Sequence, residues 1–166
     1  MTTTFTHKDF NSSDGMMTSI WGPPLWHFLH TMSFNYPCTP TAKDKKKYKE
    51  FIDSLKHILP CKYCRDNLKN NLKQSGYSLK VFKNRNVFSK WIYTLHETVN
   101  TMLGKQSGLT YKSVKHRYEQ FRSRCIDETF TNHSLQYEKG CTTPFYGKKT
   151  KCVLEIVPKQ SKKKTF

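Results

Sequence analysis

The sequence predicts an all-α fold, a bundle of helices followed by an irregular, basic C-terminal extension. Apolar residues recur at helical spacing in five segments, and no convincing alternating run appears before the C-terminal part. A chain of 166 residues has the size of one compact domain. Its three Trp, nine Tyr and eleven Phe supply large rings for one core. Such a content of aromatic residues excludes a wholly disordered chain, because disorder goes with few aromatics.

The first two helices are predicted from apolar stripes that end at prolines. The first helix begins near Trp21, with Ser19 as its cap, and ends at Tyr36 before a proline. The second runs from about Asp44–Leu59, and Pro60 ends it. Most lysines of the second helix lie off its apolar stripe, so this helix is expected to turn a basic face to solvent.

The three later helices are delimited mainly by glycines. Pro60 is compatible with the opening of the third helix, which Gly76 closes. The fourth helix spans roughly Val87–Leu103 and stops at Gly104. A fifth, shorter helix is predicted over Thr110–Cys125, and the helical pattern is lost soon afterwards.

The predicted organisation is a flexible leader over residues 1–17, a helical domain over 18–127, and a C-terminal extension with a basic tail over 128–166. No window approaches the roughly 20 apolar residues that a membrane span needs. The N-terminus has neither the apolar segment of a secretory signal nor the Arg-rich pattern of a transit peptide. The sequence therefore indicates a soluble intracellular protein.

The charge balance suggests an acidic partner. The chain has 29 Lys and Arg against 12 Asp and Glu, a net charge of +17. One function class that fits is a basic nucleic-acid-binding helical module. Against it, the lysines are dispersed, and the aromatic residues fall on helical core stripes rather than in a basic groove. A solvated surface with a basic tail is the other interpretation.

The clearest chemical motif is Cys61-Lys62-Tyr63-Cys64 at the start of the third predicted helix. Two cysteines three residues apart in a first turn lie on one face, close enough to form a disulfide. The positive end of the helix favours a thiolate, and Lys62 and Arg65 add to that field. We expect a dithiol that cycles between oxidised and reduced states. Half of a zinc site, in a zinc-stabilised structural protein, and inert cysteines are the alternatives.

Polar residues beside aromatic ones on two other helices suggest a place for a cofactor. Trp26 and His30 are four residues apart on the first predicted helix, and His96 and Asn100 are four apart on the fourth. Such side chains near a bundle core suit a flat, partly polar ring system. The alternative is that each histidine is a hydrogen-bonded core residue.

Four sequence blocks, taken together, are similar to a known enzyme family. They are WGPPLWHFLHTM at Trp21–Met32, FNYP at Phe34–Pro37, PCKYC at Pro60–Cys64, and the segment from Trp91 through His96 and Asn100 to Lys105. In order and spacing they resemble the Erv/ALR family of FAD-linked sulfhydryl oxidases, over about half of the chain. The continuation through Arg117–Cys125 and from Gly140 to Pro158 resembles the branch found in large DNA viruses.

The resemblance implies a four-helix bundle with a short fifth helix, bound FAD and a homodimer. By position, Cys61 would be attacked by the substrate thiolate, and Cys64 would pass electrons to the flavin. The implied reaction oxidises a dithiol in a substrate protein, with molecular oxygen as acceptor and hydrogen peroxide as product. A viral origin would place the protein in the host cytoplasm or the virion. The implied cofactor contacts are Gly22, Trp26, His30, Tyr36, Cys64, Trp91, His96, Val99, Asn100, Leu103, Lys105 and Tyr118.

The chain departs from the family pattern at several positions. Glu97 follows His96, where the family has Asn, and Tyr111 lies in the region where the family's structural cysteine pair begins. We expect a substitute disulfide between Cys141 and Cys152. Neither tail has a second CxxC or a CxC, so the family's shuttle disulfide is missing or replaced. Cys38 has no family counterpart and is expected to be a free surface thiol.

Overall fold

The computed structural model describes residues 6–124, 141 and 143–146. The chain divides into two units, Met1–Lys115 and His116–Phe166. The elements in the described residues confirm the all-α class, apart from one two-residue strand pair. They are α1 (His7–Phe10), α2 (Thr18–Asn35), α3 (Ala42–Ile58), α4 (Lys62–Gln74), a 3₁₀ turn (Leu79–Phe82), α5 (Arg85–Met102), α6 (Tyr111–Glu119), β1 (Ser123–Arg124) and β2 (Thr143–Pro144).

Four helices of the first unit, α2 to α5, enclose its core. Helix α2 packs along α5, α3 packs against α4, and the 3₁₀ turn contacts α3 and α5. Aromatic residues dominate the centre, where Tyr36, Phe82 and Phe88 have no more than 2% of their surface exposed. The apolar stripes read from the sequence are therefore the buried faces. The cluster consists of Leu29, Tyr36, Ile52, Leu55, Leu59, Leu68, Leu72, Val81, Phe82, Phe88, Trp91, Ile92 and Leu95.

Capping side chains set where the helices begin, and they correct the predicted starts. Helix α3 begins before Asp44 because Thr41 caps it, its hydroxyl accepting the Asp44 N–H at 3.1 Å while the Asp44 carboxylate accepts the Thr41 N–H. Helix α5 begins before the predicted Val87 because Asn84 accepts the Val87 N–H at 3.0 Å. The prediction of Ser19 as a cap was wrong, since Ser19 lies inside α2.

The C-terminal ends of the helices agree better with the predicted ends than the starts do. Gly76 and Gly104, the predicted stops, have φ of +74° and +65°, values in the left-handed region that favours glycine. The third helix does not open at Pro60, because Cys61 is its N-cap and Lys62 its first residue. The fifth helix is shorter than predicted, since it ends at Glu119.

The second unit contains the end of α6 and a minimal antiparallel ladder. Strand β1 pairs with β2, with Ser123 opposite Pro144. The ring of Tyr118 packs edge-on against Phe121, with the ring centroids 5.6 Å apart. Cys125 and Cys152 lie outside the described residues, as does the predicted domain boundary at residue 127, so the Cys141–Cys152 disulfide remains a prediction.

The N-terminal residues contain structure that the predicted flexible leader did not include. Helix α1 is capped at its N-terminus by a capping box between Thr6 and Asp9. Further on, the Met16 N–H donates to the carbonyl of Pro60 at 2.7 Å. Among the helices that the structure describes, none has the length and apolar character that a membrane crossing requires.

Candidate active site

The two cysteines of the CxxC motif occupy unequal positions at the start of α4. Cys61 is the N-cap in extended backbone (φ −152°, ψ 118°), and its sulfur accepts the Cys64 N–H at 3.2 Å. Cys64 is one turn further on and packs against the bundle core. Both cysteines are half-buried and are present as thiols. The geometry brings the two sulfurs to the same helix end, as the sequence predicted. Because Cys64 packs against the core, we call it the inner cysteine and Cys61, the N-cap, the outer cysteine.

The protonation of the inner thiol follows from this placement. Burial raises the pKa of Cys64 to about 12, and its hydrogen bond with Cys61 acts in the same direction. The Arg65 guanidinium opposes this shift but does not overcome it. In the dithiol state, Cys64 therefore holds its proton at neutral pH, so burial outweighs the helix end and Arg65, which the sequence led us to expect would favour a thiolate.

The turn before Cys61 is held by contacts of its carbonyl groups. The Arg65 guanidinium donates to the carbonyl of Leu59, and the Met16 N–H donates to that of Pro60. These two bonds fix the backbone directly before the outer cysteine. Lys62 is tied to Asp66, one turn along α4, in an exposed ion pair.

A cluster of flat rings lies where α2 packs on α5. Trp26 and His96 are stacked, with ring centroids 4.0 Å apart and planes 6° from parallel. His30 Nε2 is 3.1 Å from His96 Nδ1, a hydrogen bond between the two helices. The sequence paired Trp26 with His30 and His96 with Asn100, and the structure brings the first three together.

Both imidazoles of this ring cluster are uncharged near neutral pH. Burial lowers the pKa of His30 to about 4, and the nearby His96 and His27 contribute to this shift. Burial also lowers the pKa of His96, although the Glu97 carboxylate opposes the change. Neutral imidazoles can each donate one hydrogen bond and accept another, so the cluster offers stacking faces and polar edges without charge.

The C-terminal end of α5 is organised around the unexpected Glu97. Its carboxylate accepts hydrogen bonds from Asn100 Nδ2 and from Ser107 Oγ, each at 2.9 Å. The Lys105 N–H donates to the carbonyl of Asn100 at 2.8 Å. Glu97 thus orients Asn100 and ties the loop after α5 back to the helix. Val99 is half-buried, whereas Leu103 and Lys105 are exposed.

The remaining residues implied by the resemblance have mixed surroundings. Tyr36 is fully buried, and its hydroxyl donates to the carbonyl of Phe82 at 3.0 Å. Trp91 is buried and its indole N–H donates to Ser75 Oγ at 3.3 Å. Gly22 lies in α2 with no heavy atom within 4 Å of the place where a Cβ would be. Tyr118 belongs to the second unit.

Sequence reasoning missed two features beside the site. One is the contact of the N-terminal segment with Pro60, for which Gly15 was the only signal. The other is the anchoring of α6 by Tyr111, whose hydroxyl lies 2.9 Å from Ser89 Oγ and whose ring stacks on Phe34. No group of three or more potential metal-ligating side chains occurs within the described part of the chain.

Comparison with known proteins decides the family. The model of the Erv1/Alr family matches residues 23–120, which contain the cysteine pair and the ring cluster. The chain belongs to the Erv1/Alr family. This confirms the prediction made from the four sequence blocks. A crystal structure of the FAD-binding domain of Erv1 from Saccharomyces cerevisiae has the same fold, with a TM-score of 0.55 and 24% identity over 62% of this chain and 94% of that chain.

Relatives of this Erv1/Alr protein occur in viruses and in plants. A probable FAD-linked sulfhydryl oxidase of Acanthamoeba polyphaga mimivirus is 36% identical over 58% of this chain and 66% of its own length. The FAD-linked sulfhydryl oxidase ERV1 of Arabidopsis thaliana is 37% identical over 51% of this chain and 42% of its own length. An FAD-linked sulfhydryl oxidase of African swine fever virus is 30% identical over 60% of this chain and 81% of its own length. The chain thus spans less than two thirds of the first two relatives.

Proposed function

We propose that this chain is an FAD-dependent thiol oxidase that forms disulfides in substrate proteins. The observation that carries the proposal is the unequal cysteine pair, with Cys61 capping α4 and Cys64 packed inward. Since Cys64 packs against the core, we assign the exchange with the substrate to Cys61. Family membership and the names of the relatives support the same activity.

The residues of the ring cluster fit an FAD molecule. The half-buried faces of Trp26 and His96 can stack on a flat heterocycle, and the neutral imidazoles can bond its heteroatoms without adding charge. Lys105 is an exposed cation suited to a phosphate group. The residues of the first unit that we propose to hold FAD are Gly22, Trp26, His30, Tyr36, Cys64, Trp91, His96, Val99, Asn100, Leu103 and Lys105. The role of Tyr118, which the family resemblance implies, stays a prediction.

The proposed reaction uses the cysteine pair in its disulfide form. A substrate thiolate attacks Cys61 Sγ, so that a substrate–Cys61 disulfide forms, the Cys61–Cys64 bond breaks and Cys64 leaves as a thiolate. The second substrate thiolate attacks the substrate sulfur of that mixed disulfide, which releases the oxidised substrate and Cys61. The chemistry that FAD supplies when bound is transfer of the two electrons from the dithiol to oxygen, which departs as hydrogen peroxide.

This chain's own residues hold the pair ready for that exchange. Arg65 fixes the Leu59 carbonyl ahead of the turn, and the Cys64 N–H lies against the outer sulfur. The same N–H can stabilise negative charge on Cys61 when this sulfur is the leaving thiolate. The second substrate thiol gives up its proton as it attacks, and the Cys64 thiolate can take up that proton, since burial raises the pKa of Cys64 and favours its neutral form.

Oxygen uptake by serine variants tests the proposal. The purified protein is expected to be yellow and to consume oxygen with dithiothreitol. Cys64→Ser should keep the colour but lose turnover by about a hundredfold or more, because the disulfide can no longer form. Cys38→Ser, at an exposed thiol outside the motif, is the matched control and should retain full turnover. A colourless folded protein, or an active Cys64→Ser variant, would refute the proposal.

Two further expectations belong with this proposal. We infer a homodimer, which sedimentation of the flavin-containing protein would test, with a mass of one chain counting against it. We also infer a location in the host cytoplasm or the virion, supported by the viral relatives. Detection of the chain in purified virions and in fractionated infected cells would test that location.

A further inference from the structure

Three residues on one face of α5 contact the loop that follows this helix. Tyr93, Glu97 and Asn100 are four and three residues apart, a spacing that places them in one stripe along the helix. The Tyr93 hydroxyl donates to the Leu109 carbonyl at 2.7 Å. The Ser107 hydroxyl donates to Glu97 Oε2 at 2.9 Å, and the main-chain bond to the Asn100 carbonyl described above is a third attachment. The loop after α5 is therefore folded back along this stripe.

Each oxygen of the half-buried Glu97 carboxylate has a partner of its own. Oε1 accepts a hydrogen bond from Asn100 Nδ2, and Oε2 accepts one from Ser107 Oγ. Ser107 Oγ in turn accepts the Leu109 N–H at 3.1 Å, so its single proton is left for the carboxylate. The orientation of the carboxylate is thus set by one residue of the helix and one residue of the loop.

This carboxylate decides which way the Asn100 amide faces. The nitrogen and the oxygen of an asparagine amide are nearly alike in shape, and a neighbour that both donates and accepts tolerates either orientation. The Glu97 carboxylate only accepts, so it selects the orientation in which Asn100 Nδ2 points towards it. The other side of the amide then presents Oδ1. Among the described residues, none donates a hydrogen bond to Asn100 Oδ1, which leaves this oxygen as an acceptor for a ligand.

Asn100 is a neighbour of the ring cluster that we propose to hold FAD. It follows His96 by four residues, so the two side chains are adjacent on one face of α5. His96 is the residue whose ring stacks on Trp26. FAD carries several hydroxyl groups and an N–H on its flavin ring, and each of these groups is a donor. An amide that presents its oxygen matches such a donor, whereas the reversed amide would present N–H groups to it.

We propose that Glu97 is a positioning residue for FAD, which holds Asn100 Oδ1 ready to accept a hydrogen bond from a hydroxyl or N–H group of the cofactor. Ser107 keeps the Glu97 carboxylate in place for this purpose. The inference rests on the proposed function and adds to it a residue at which this chain departs from the family pattern. The negative charge of Glu97 would by itself weaken binding of the anionic diphosphate of FAD. The sign of its effect on affinity therefore distinguishes positioning from simple charge repulsion.

The affinity for FAD tests the proposal in the full-length, flavin-containing protein. Equilibrium dialysis against a series of FAD concentrations gives the dissociation constant, with the visible absorbance of the retained flavin as the signal. Glu97→Ala should raise the dissociation constant about tenfold, or about 1.4 kcal/mol, because the Asn100 amide is no longer held in the binding orientation. Glu50→Ala is the matched control, since it removes another carboxylate that pairs with two side chains, on α3. This control should bind FAD as the unmodified protein does.

A double-mutant cycle shows whether Glu97 acts through Asn100. In the Asn100→Ala background, Glu97→Ala should change the dissociation constant by less than about twofold, because the amide that it positions is absent. Glu97→Gln keeps the size of the side chain and removes its charge. Since a glutamine amide tolerates either orientation of Asn100, this variant should also bind FAD more weakly, by a smaller factor than Glu97→Ala. Amide hydrogen exchange at Leu109, a readout of the loop itself, should become faster in Glu97→Ala.

Three results would overturn the proposal. They are an unchanged dissociation constant in Glu97→Ala, tighter binding of FAD in Glu97→Ala or Glu97→Gln, and an equal loss of affinity with and without the Asn100 side chain. The last result would mean that Glu97 only supports the fold. The unmodified protein reports on the oxidase proposal: if it binds no flavin, both proposals fail. Bound flavin and oxygen uptake in the unmodified protein, with an unaffected Glu97→Ala variant, would refute the role of Glu97 alone.

Discussion

Lowering the pH from 7 to 4 is expected to destabilise the bundle through the buried side chain of His30. Burial lowers its pKa from 6.5 to about 4 in the folded protein, where only 4% of the residue is exposed. Between about pH 6.5 and pH 4, His30 is protonated in the unfolded chain but not in the folded chain. The free energy of unfolding therefore falls over this range. At about 1.4 kcal/mol per pKa unit, the His30 contribution to this loss is about 3 kcal/mol.

Urea unfolding followed by circular dichroism at pH 7, 6, 5 and 4 measures this loss. His30→Gln retains a side chain that can hydrogen-bond to His96 but cannot be protonated. Its free energy of unfolding should therefore fall by about 3 kcal/mol less than that of the unmodified protein over this range. His57→Gln, at an exposed position of α3, is the matched control and should keep the full decline because His30 is still present. Parallel declines in His30→Gln and the unmodified protein would refute the assignment.

Two further predictions concern stability. Tyr111→Phe and Ser89→Ala should each lower the free energy of unfolding, because each removes the hydrogen bond between the two hydroxyl groups. A double-mutant cycle measured by urea unfolding should give a coupling energy of about 1 kcal/mol for this bond. A coupling energy of zero would contradict the prediction. Thr41→Ala should remove the α3 capping box at a cost of about 1 kcal/mol, which calorimetry should detect as a Tm lowered by about 2–4 °C. Thr6→Ala, in the exposed four-residue helix, is its control, and equal Tm shifts in both variants would contradict the reasoning.

The helices could be predicted because their buried faces repeat at helical spacing. Phe88, Ile92 and Leu95 mark the buried side of α5 in the sequence as they do in the structure. The helix starts were predicted less well, since they depend on which polar side chain turns back to a free backbone N–H. Thr41 and Ser19 are both good capping residues, and only the three-dimensional path of the chain decides that Thr41 caps a helix while Ser19 does not.

The candidate site was predictable to the extent that its chemistry resides in side chains at fixed spacing. The cysteine pair follows from the motif, and the four-residue spacing of Trp26 with His30 and of His96 with Asn100, together with the family resemblance, pointed to the ring cluster. The contact between His30 and His96 joins residues that are 66 positions apart, a separation that periodicity cannot bridge. The contact of the N-terminal segment with Pro60 was missed because Met16 makes it through its backbone N–H, which every residue except proline has. The neighbouring Gly15 was the one sequence feature that indicated a close approach.

The contacts of Tyr111 hold the start of α6 without a disulfide. The start of α6 is fastened to α5 and α2 by a hydroxyl and by stacked rings, in the region where the family resemblance led us to expect sulfur. A hydrogen bond between hydroxyl groups and a contact between aromatic rings are not altered by thiol–disulfide exchange. Reductants that would open the proposed Cys61–Cys64 disulfide leave the contact between Tyr111 and Ser89 intact, since that contact contains no sulfur. The attachment of α6 at Tyr111 is therefore independent of the redox state of the cysteine pair that we propose to be catalytic.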